Sequence, residues 1–143
     1  MIAGNETISK KLRRIAKLYT DSLSLQLREL DINRYFDVLL TLSAQSEPVT
    51  QKKLAALMHI DKTRMVSIVN YLNQKGYTFI QKNPKDRREH FISLSAKGLG
   101  SIPAIKNGIR ITDNMMVADI REEEFCGCLN TLKAIETNLG KAI

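Results

Sequence analysis

The stretch IDKTRMVSIVNYLNQKGYTFIQKNPKDRREHFISLSAKG, residues 60–98, decides the fold because the spacing of its apolar residues changes halfway along. Before Gly76 the apolar residues recur at intervals of three or four, which places them on one face of a helix. They are Met65, Ile68, Val69 and Leu72. Asp61 supplies an N-cap, and Gly76 suits the left-handed position after a helix. This half of the stretch therefore predicts a helix that begins at Lys62.

Beyond Gly76 the sequence predicts a β-hairpin. The runs YTFIQK (77–82) and EHFISLS (89–95) are short and rich in β-branched and aromatic residues. The residues between them, Asn83-Pro84-Lys85-Asp86, are typical of a turn. The tip NPKDRRE (83–89) is longer and more basic than a turn requires, so the hairpin is a candidate wing.

A short helix precedes residue 60. Thr50 is positioned to cap QKKLAALM (51–58), and the tight connection His59-Ile60 leads to the cap of the next helix. The apolar residues expected to face inward are Leu54, Leu57 and Met58. Two short helices joined by three or four residues are the signature of a helix-turn-helix.

Two helices are predicted before this unit. Residues 7–29 carry an amphipathic stripe, which includes Ile8, Leu12, Ile15, Leu23 and Leu27. Asp31 is expected to cap the second helix, which ends before Pro48.

Two more helices are predicted after the hairpin. Ser95 is expected to cap the first, with a kink or a late start because its opening turns contain Gly98, Gly100 and Pro103. Asp119 and Glu122 resemble a capping box for the last helix. Its apolar seam is Phe125, Leu129, Leu132, Ile135 and Leu139.

The positive charge is concentrated in the middle of the chain. The 143 residues have a formal net charge of +7, and residues 50–97 hold 10 basic and 3 acidic residues, while the flanking segments are nearly neutral. A phosphate-binding surface on one subdomain explains such a distribution better than a general solubility face.

The candidate DNA-binding residues lie on three neighbouring segments. A helix in the major groove needs flexible polar residues on its exposed N-terminal face, and those that fit are Lys62, Thr63, Arg64, Ser67 and Asn70. Arg64 is the best base reader, because a guanidinium can bond guanine O6 and N7 together. Gln51 and Lys52, in the first turn of the preceding helix, are placed to meet phosphate. The hairpin adds Lys82, Lys85, Asp86, Arg87 and Arg88, and Asp86 can orient one arginine.

Other classes of function find little support. There is no Gly-rich phosphate loop, metal-ligand cluster or nucleophile motif, so we expect no catalytic residue, no metal and no cofactor. There is neither a long apolar run nor a signal-peptide pattern, so we expect a cytoplasmic protein without a membrane partner. Cys126 and Cys128 would point about 200° apart on a helix, and we interpret them as reduced thiols whose redox role is open.

Over about residues 35–98 the sequence closely resembles the MarR (multiple antibiotic resistance regulator) family. The matching pieces are Asp61-Lys62-Thr63 at the start of the recognition helix and Leu72 to Gly76 at its end. The most specific piece is Asp86-x-Arg88 followed by Leu94-Ser95-x-x-Gly98.

The resemblance implies a mainly α fold with a small β-hairpin wing. The length of 143 residues fits a single domain, residues 1–143. Within it the resemblance implies a winged helix-turn-helix DNA-binding lobe over 32–98 and N- and C-terminal dimerisation helices over 1–30 and 99–143. It implies a homodimer that binds a pseudo-palindromic operator in double-stranded DNA, with Arg88 in the minor groove braced by Asp86. It also implies a transcription repressor released by a small aromatic or lipophilic effector. The alternative is a winged-helix protein-interaction module without DNA binding.

Overall fold

The structure is a computed structural model that describes residues 4–142. Residues 1–3 and 143, the outer ends of the predicted dimerisation segments, lie outside the described residues. Along the described chain the elements are α1 (Ile8–Gln26), α2 (Phe36–Ser43), β1 (Val49–Thr50), α3 (Gln51–Met58), α4 (Lys62–Gln74), β2 (Thr78–Asn83), β3 (Asp86–Leu94), α5 (Ala96–Met116) and α6 (Glu122–Lys141). The fold is mainly helical with one small antiparallel sheet, as predicted.

Side-chain caps fix the starts of three helices at the predicted residues. The Thr50 hydroxyl accepts a hydrogen bond from the Lys53 backbone N–H at 3.1 Å, and the Ser95 hydroxyl accepts one from that of Gly98 at 3.0 Å. Asp61 Oδ1 accepts the bond from the backbone N–H of Arg64 at 2.9 Å. Each bond satisfies a donor that the first helical turn leaves unpaired.

The helix-turn-helix packs around the buried face of α4. Met65, Val69 and Leu72 are completely buried, which confirms the predicted inward face. Leu23, Leu39 and other apolar side chains of α1, α2, α3, β3 and α5 complete the core. His59 links α3 to α4 in the left-handed region, with φ 53°. This conformation makes the tight turn that the sequence required.

The wing is the outer part of a three-stranded sheet in the order β1-β3-β2. The hairpin register runs from Thr78 opposite Leu94 to Lys82 opposite His90. Strand β1, which the sequence analysis did not predict, pairs Val49 with Ile92 on the other edge of β3. A two-residue strand has too short a pattern to be recognised without its partner.

Two predicted caps are wrong. Helix α2 begins after Tyr35, whose side chain makes no capping bond, while the Asp31 carboxylate contacts Tyr71 and Lys75 instead. Asp119 has φ 61°, a left-handed conformation that an N-cap residue does not adopt, and α6 begins after Arg121.

Two predictions about helix packing are also corrected. Leu57 is 47% exposed rather than inward, because the buried face of α3 is centred on Leu54 and Ala55, roughly 110° around the helix. Helix α5 starts immediately after Ser95 and continues through Pro103 without the predicted delay. Burial of Ile102 and Ile105 in the core outweighs the weak helix propensity of the opening turns.

Helix α6 has no buried residue in the described chain. Cys126 and Cys128 on this helix are both exposed. Across residues 4–142, no helix combines the length and the apolar character needed to cross a membrane.

Two glycines in the first turns of α5 allow a matched test of this packing. A Cβ atom at Gly98 would overlap the carbonyl oxygen of Tyr77, whereas one at Gly100 would meet nothing within 4 Å. We expect Gly98→Ala to lower the free energy of unfolding by about 1–3 kcal/mol. Gly100→Ala should raise it by about 0.5–1 kcal/mol, because alanine is the better helix former. Urea unfolding at one protein concentration measures both, and equal effects would contradict the predicted close approach of α5 to Tyr77.

Candidate nucleic-acid interface

The exposed side of α4 carries all five polar residues that the sequence predicted there. Lys62, Thr63, Arg64, Ser67 and Asn70 are exposed, while Met65, Ile68 and Val69 between them are buried. The Ser67 hydroxyl donates a 3.4 Å hydrogen bond to the carbonyl of Thr63. The N-terminal half of α4 therefore presents cationic and hydrogen-bonding groups to solvent.

The first turn of α3 adds residues next to this face. Gln51 is half-buried and Lys52 is exposed, directly after the Thr50 cap. Lys53 is a third member of this turn that the sequence analysis missed, although the run Gln51-Lys52-Lys53 offered the signal. The helix N-terminus adds a partial positive charge to these side chains.

The wing tip is tighter than predicted. Its turn consists of Pro84 and Lys85, and β3 already begins at Asp86, so Arg87 and Arg88 belong to a strand instead of a long loop. Pairing of Asn83 with Asp86 closes the tip. Lys82, Lys85, Asp86, Arg87 and Arg88 are all exposed.

Hydrogen bonds from side chains hold this tip in shape. Asn83 Oδ1 accepts from the backbone N–H of Lys85 at 2.9 Å, and Asn83 Nδ2 donates to Glu89 Oε2 at 3.1 Å. Asp86 Oδ1 accepts from the backbone N–H of Arg88 at 3.0 Å. Asp86 thus holds the backbone that carries Arg88, and Asn83 and Glu89 are supporting residues that the sequence analysis missed.

Most cations of α3, the N-terminal half of α4 and the wing have no acidic partner among the described residues. The acidic residues between positions 50 and 97 are Asp61, Asp86 and Glu89, and each accepts a hydrogen bond from a backbone or side-chain amide. In the part of the chain that the structure describes, none of the following forms an ion pair: Lys52, Lys62, Arg64, Lys82, Lys85, Arg87 and Arg88. Uncompensated positive charge of this density attracts a polyanion.

The elements that carry these cations are neighbours. Helix α3 packs against α4, and α4 packs against β2, which leads into the wing. The structure therefore gathers the predicted residues onto one lobe. A winged helix-turn-helix with a basic, unpaired surface defines a DNA-binding protein of the transcription-regulator class.

Comparisons with known proteins agree with this class. The model of the MarR family matches residues 30–89. The chain is 32% identical over 114 residues to the HTH-type transcriptional regulator YdcH of Bacillus subtilis, covering 74% of this chain and 76% of that one. The chain belongs to the MarR family and is a DNA-binding transcription regulator of MarR type.

Solved structures share the fold over nearly the whole chain. A MarR transcriptional regulator from Methanosarcina mazei Go1 has a TM-score of 0.84 at 21% identity, covering 95% of this chain and 98% of that one. CouR from Rhodococcus jostii RHA1, bound to p-coumaroyl-CoA, has a TM-score of 0.73 at 23% identity, covering 91% and 92%. At these identities the likeness concerns the fold.

Proposed function

We propose that the protein is a homodimeric repressor whose two lobes, residues 32–98 of each copy, bind the half-sites of a pseudo-palindromic operator. A small effector would release it from DNA. The observation that carries the proposal is the positive charge, unpaired among the described residues, that α3, the N-terminal half of α4 and the wing share. The protein would act by binding, without catalysis, in the cytoplasm where the operator is accessible.

In this proposal the two basic elements enter different grooves. Helix α4 lies in the major groove, where Arg64 contacts a guanine and Thr63 and Ser67 contact base edges or phosphates. The wing reaches the minor groove with Arg88, whose backbone is held by Asp86. The remaining residues of the surface contact phosphates and fix its register on the duplex: Gln51, Lys52, Lys62, Asn70, Lys82, Lys85 and Arg87.

We assign dimerisation to residues 1–30 and 99–143. The predicted stripe of α1 is buried only near its end, at Leu23 and Leu27. The rest of it, with apolar residues of α5, α6 and the loop between them, stays exposed in the single chain: Ile8, Leu12, Ile15, Leu18, Met115, Met116, Ile120, Leu129 and Leu139. Helices with an apolar face this extensive need a covering partner.

The charges of these helices favour a second copy as that partner. Helix α1 carries five cations, of which Lys11 and Lys17 form ion pairs within the chain while Lys10, Arg13 and Arg14 form none among the described residues. The first turn of α6 carries Glu122, Glu123 and Glu124, and of these Glu124 pairs with Arg121. Opposite charges on the two arms of one sequence are complementary when α1 of one copy meets α6 of the other.

Two grooves beside Tyr19 are the candidate effector sites. One of about 280 Å³ lies between α1 and α5 and is lined by Leu18, Thr112 and Met115; another of about 340 Å³ extends towards α2 and is lined by Phe36, Asp37 and Ile109. Apolar walls with a few polar groups suit a small aromatic or lipophilic ligand. A ligand of that type is consistent with the p-coumaroyl-CoA bound to CouR.

Tyr19 provides the polar contact between the two grooves. Its hydroxyl donates a 2.7 Å hydrogen bond to Asp113 on α5. Burial, and then the contact with Asp113, raises the pKa of Tyr19 to about 12, so the hydroxyl remains protonated at neutral pH. A ligand that takes this hydrogen bond would separate α1 from α5 and change the arrangement of the dimer arms.

The DNA contacts are tested with arginine variants. We expect Arg64→Ala and Arg88→Ala each to weaken binding to duplex DNA by about 1–3 kcal/mol per lost base contact, because each removes a charged donor that nothing replaces. Arg28→Ala is the control, since Arg28 is an exposed arginine outside the lobe. Gel-shift titration on genomic fragments selected by the wild type gives the affinities. Unchanged affinity of both variants would refute the assigned roles, and a wild type that binds no duplex would favour the protein-interaction module.

Salt dependence provides an independent measurement. Two lobes that each neutralise several phosphates should give a slope of log affinity against log salt of roughly −5 to −9. Lys85→Ala should make the slope shallower by roughly 2, because a dimer loses two phosphate contacts. A flat dependence for the wild type would contradict the electrostatic surface.

The dimer is tested on α6. Leu129 is 50% exposed on the apolar seam, and Asn130 beside it is exposed on the polar side. We expect Leu129→Asp to shift the protein to monomer in sedimentation at micromolar concentration, because it places a charge in the interface. Asn130→Asp adds the same charge and should remain dimeric. A wild-type monomer under these conditions would contradict the assignment.

A further inference from the structure

A cluster of polar side chains joins the C-terminal end of α4 to the linker between α1 and α2. Asp31 in the linker contacts Lys75 Nζ through Oδ2 at 3.0 Å and accepts a hydrogen bond from the Tyr71 hydroxyl through Oδ1 at 3.2 Å. We call Asp31, Tyr71 and Lys75 the Asp31 joint. It connects the recognition helix to the segment that follows the predicted dimerisation arm.

Neighbouring residues hold the joint from both sides. The Asp31 backbone N–H donates to the hydroxyl of Tyr77 at 3.1 Å, and Tyr77 is buried at the start of the hairpin. Lys97 of α5 donates to the carbonyl of Lys75 at 2.7 Å and lies 4.4 Å above the Tyr77 ring. The linker, α4, the hairpin and α5 therefore meet around the Asp31 joint.

The joint lies on the same stripe of α4 as Arg64. Tyr71 follows Arg64 by seven residues and Lys75 follows it by eleven, so at about 100° per residue all three lie within roughly 20° of the same line along the helix. A contact at the Lys75 end of this stripe constrains the direction and tilt of the Arg64 end. Helix α4 also packs against α3 and β2, and the Tyr71 ring meets that of Tyr35 edge-on at 5.4 Å, whereas α1 packs against α5.

The contribution of the joint to folding is small. The side chains of Asp31 and Lys75 are 61% and 40% exposed, and exposed ion pairs stabilise a fold only weakly. Cation–π contact between Lys75 and the Tyr71 ring, at 5.6 Å, is also at the surface. We therefore expect the Asp31 joint to affect the position of α4 and to have little effect on the stability of the fold.

The joint stays closed over the neutral pH range. The hydrogen bond from Lys75 holds the pKa of Asp31 below its ordinary value, so this contact is lost only as the pH falls through that lowered pKa. Desolvation and the bond to Asp31 raise the pKa of Tyr71, and the bond to Asp31 raises that of Lys75. Near pH 7, Asp31 is therefore ionised, the Tyr71 hydroxyl is protonated and Lys75 is charged, as the contacts of the joint require.

We propose that the Asp31 joint positions the recognition helix, holding α4 against the α1–α2 linker so that Arg64 meets the operator at the spacing that the dimer arms set. This inference rests on the proposed function, because it concerns how the dimer presents α4 to DNA. Asp31, Tyr71 and Lys75 are positioning residues that need not touch the duplex.

The direction in which one substitution changes the affinity for DNA distinguishes a positioning role from a purely electrostatic effect. Asp31→Ala removes a carboxylate from a DNA-binding protein, so electrostatics alone predicts tighter binding. Positioning predicts weaker binding by about 3- to 10-fold, because α4 spends less time in the competent arrangement. Glu29→Ala is the matched control: Glu29 lies in the same linker, is 88% exposed and has only a 3.7 Å contact with Arg28.

The experiment measures affinity for one duplex selected by the wild type, together with the melting temperature and the sedimentation of each variant. We expect Asp31→Ala to bind the duplex more weakly and Glu29→Ala to bind it like the wild type. The two variants should have the same melting temperature and the same dimerisation. The double variant Asp31→Lys, Lys75→Asp restores opposite charges and should bind more tightly than Asp31→Lys alone.

Three outcomes would overturn the proposal. They are equal or tighter binding by Asp31→Ala, an equal loss in Glu29→Ala, and a fall in melting temperature that accounts for the lost affinity. A wild type that selects no duplex at all would defeat the proposed function, and the positioning role with it. A wild type that binds while Asp31→Ala binds equally well would defeat only the positioning role.

Discussion

The division of α4 into two faces is the constraint on which the rest of the structure depends. Met65, Ile68 and Val69 are buried in the core, so the helix has one orientation in which its apolar atoms leave water. In that orientation Arg64 and Ser67 face solvent. Burying an unpaired guanidinium or hydroxyl would cost far more free energy than leaving it exposed. The core that stabilises the lobe therefore also determines which side chains are offered to a ligand.

Three acidic residues of α4 and the wing region support the local shape and leave the cations of the DNA-facing surface uncompensated. Asp61 caps α4, Asp86 holds the backbone of Arg88, and Glu89 binds the amide of Asn83. A fold selected for stability alone would place these carboxylates beside the cations, because like charges repel in the isolated protein. Local hydrogen bonds keep the wing and the helix start in shape, so less ordering is needed when phosphates bind.

The sequence predicted the features that depend on short-range chemistry. Caps at Thr50, Asp61 and Ser95, and the apolar face of α4, are properties of a few neighbouring residues, and the structure confirms them. The same reasoning was wrong for Asp31, because its carboxylate has alternative partners forty residues away along the chain. It also could not predict β1, whose two residues form a strand only because β3 lies beside them.

The apolar surface that the single chain leaves exposed explains why the position of α4 requires contacts of its own. Helices α1 and α6 expose apolar residues. In the proposed dimer, the distance between the two recognition helices would depend on how each lobe is fixed to its arms. The grooves beside Tyr19 border α1, α2 and α5, and not α4. Any influence of a ligand there on α4 must therefore pass through the elements that lie between the grooves and α4. The linker that carries Asp31 is one such element, and α5, which approaches Tyr77 at Gly98, is another. Coupling between two sites requires an element that both can displace. Helix α4 is such an element, because Asp31 of the linker and Lys97 of α5 both contact Lys75 at its C-terminal end.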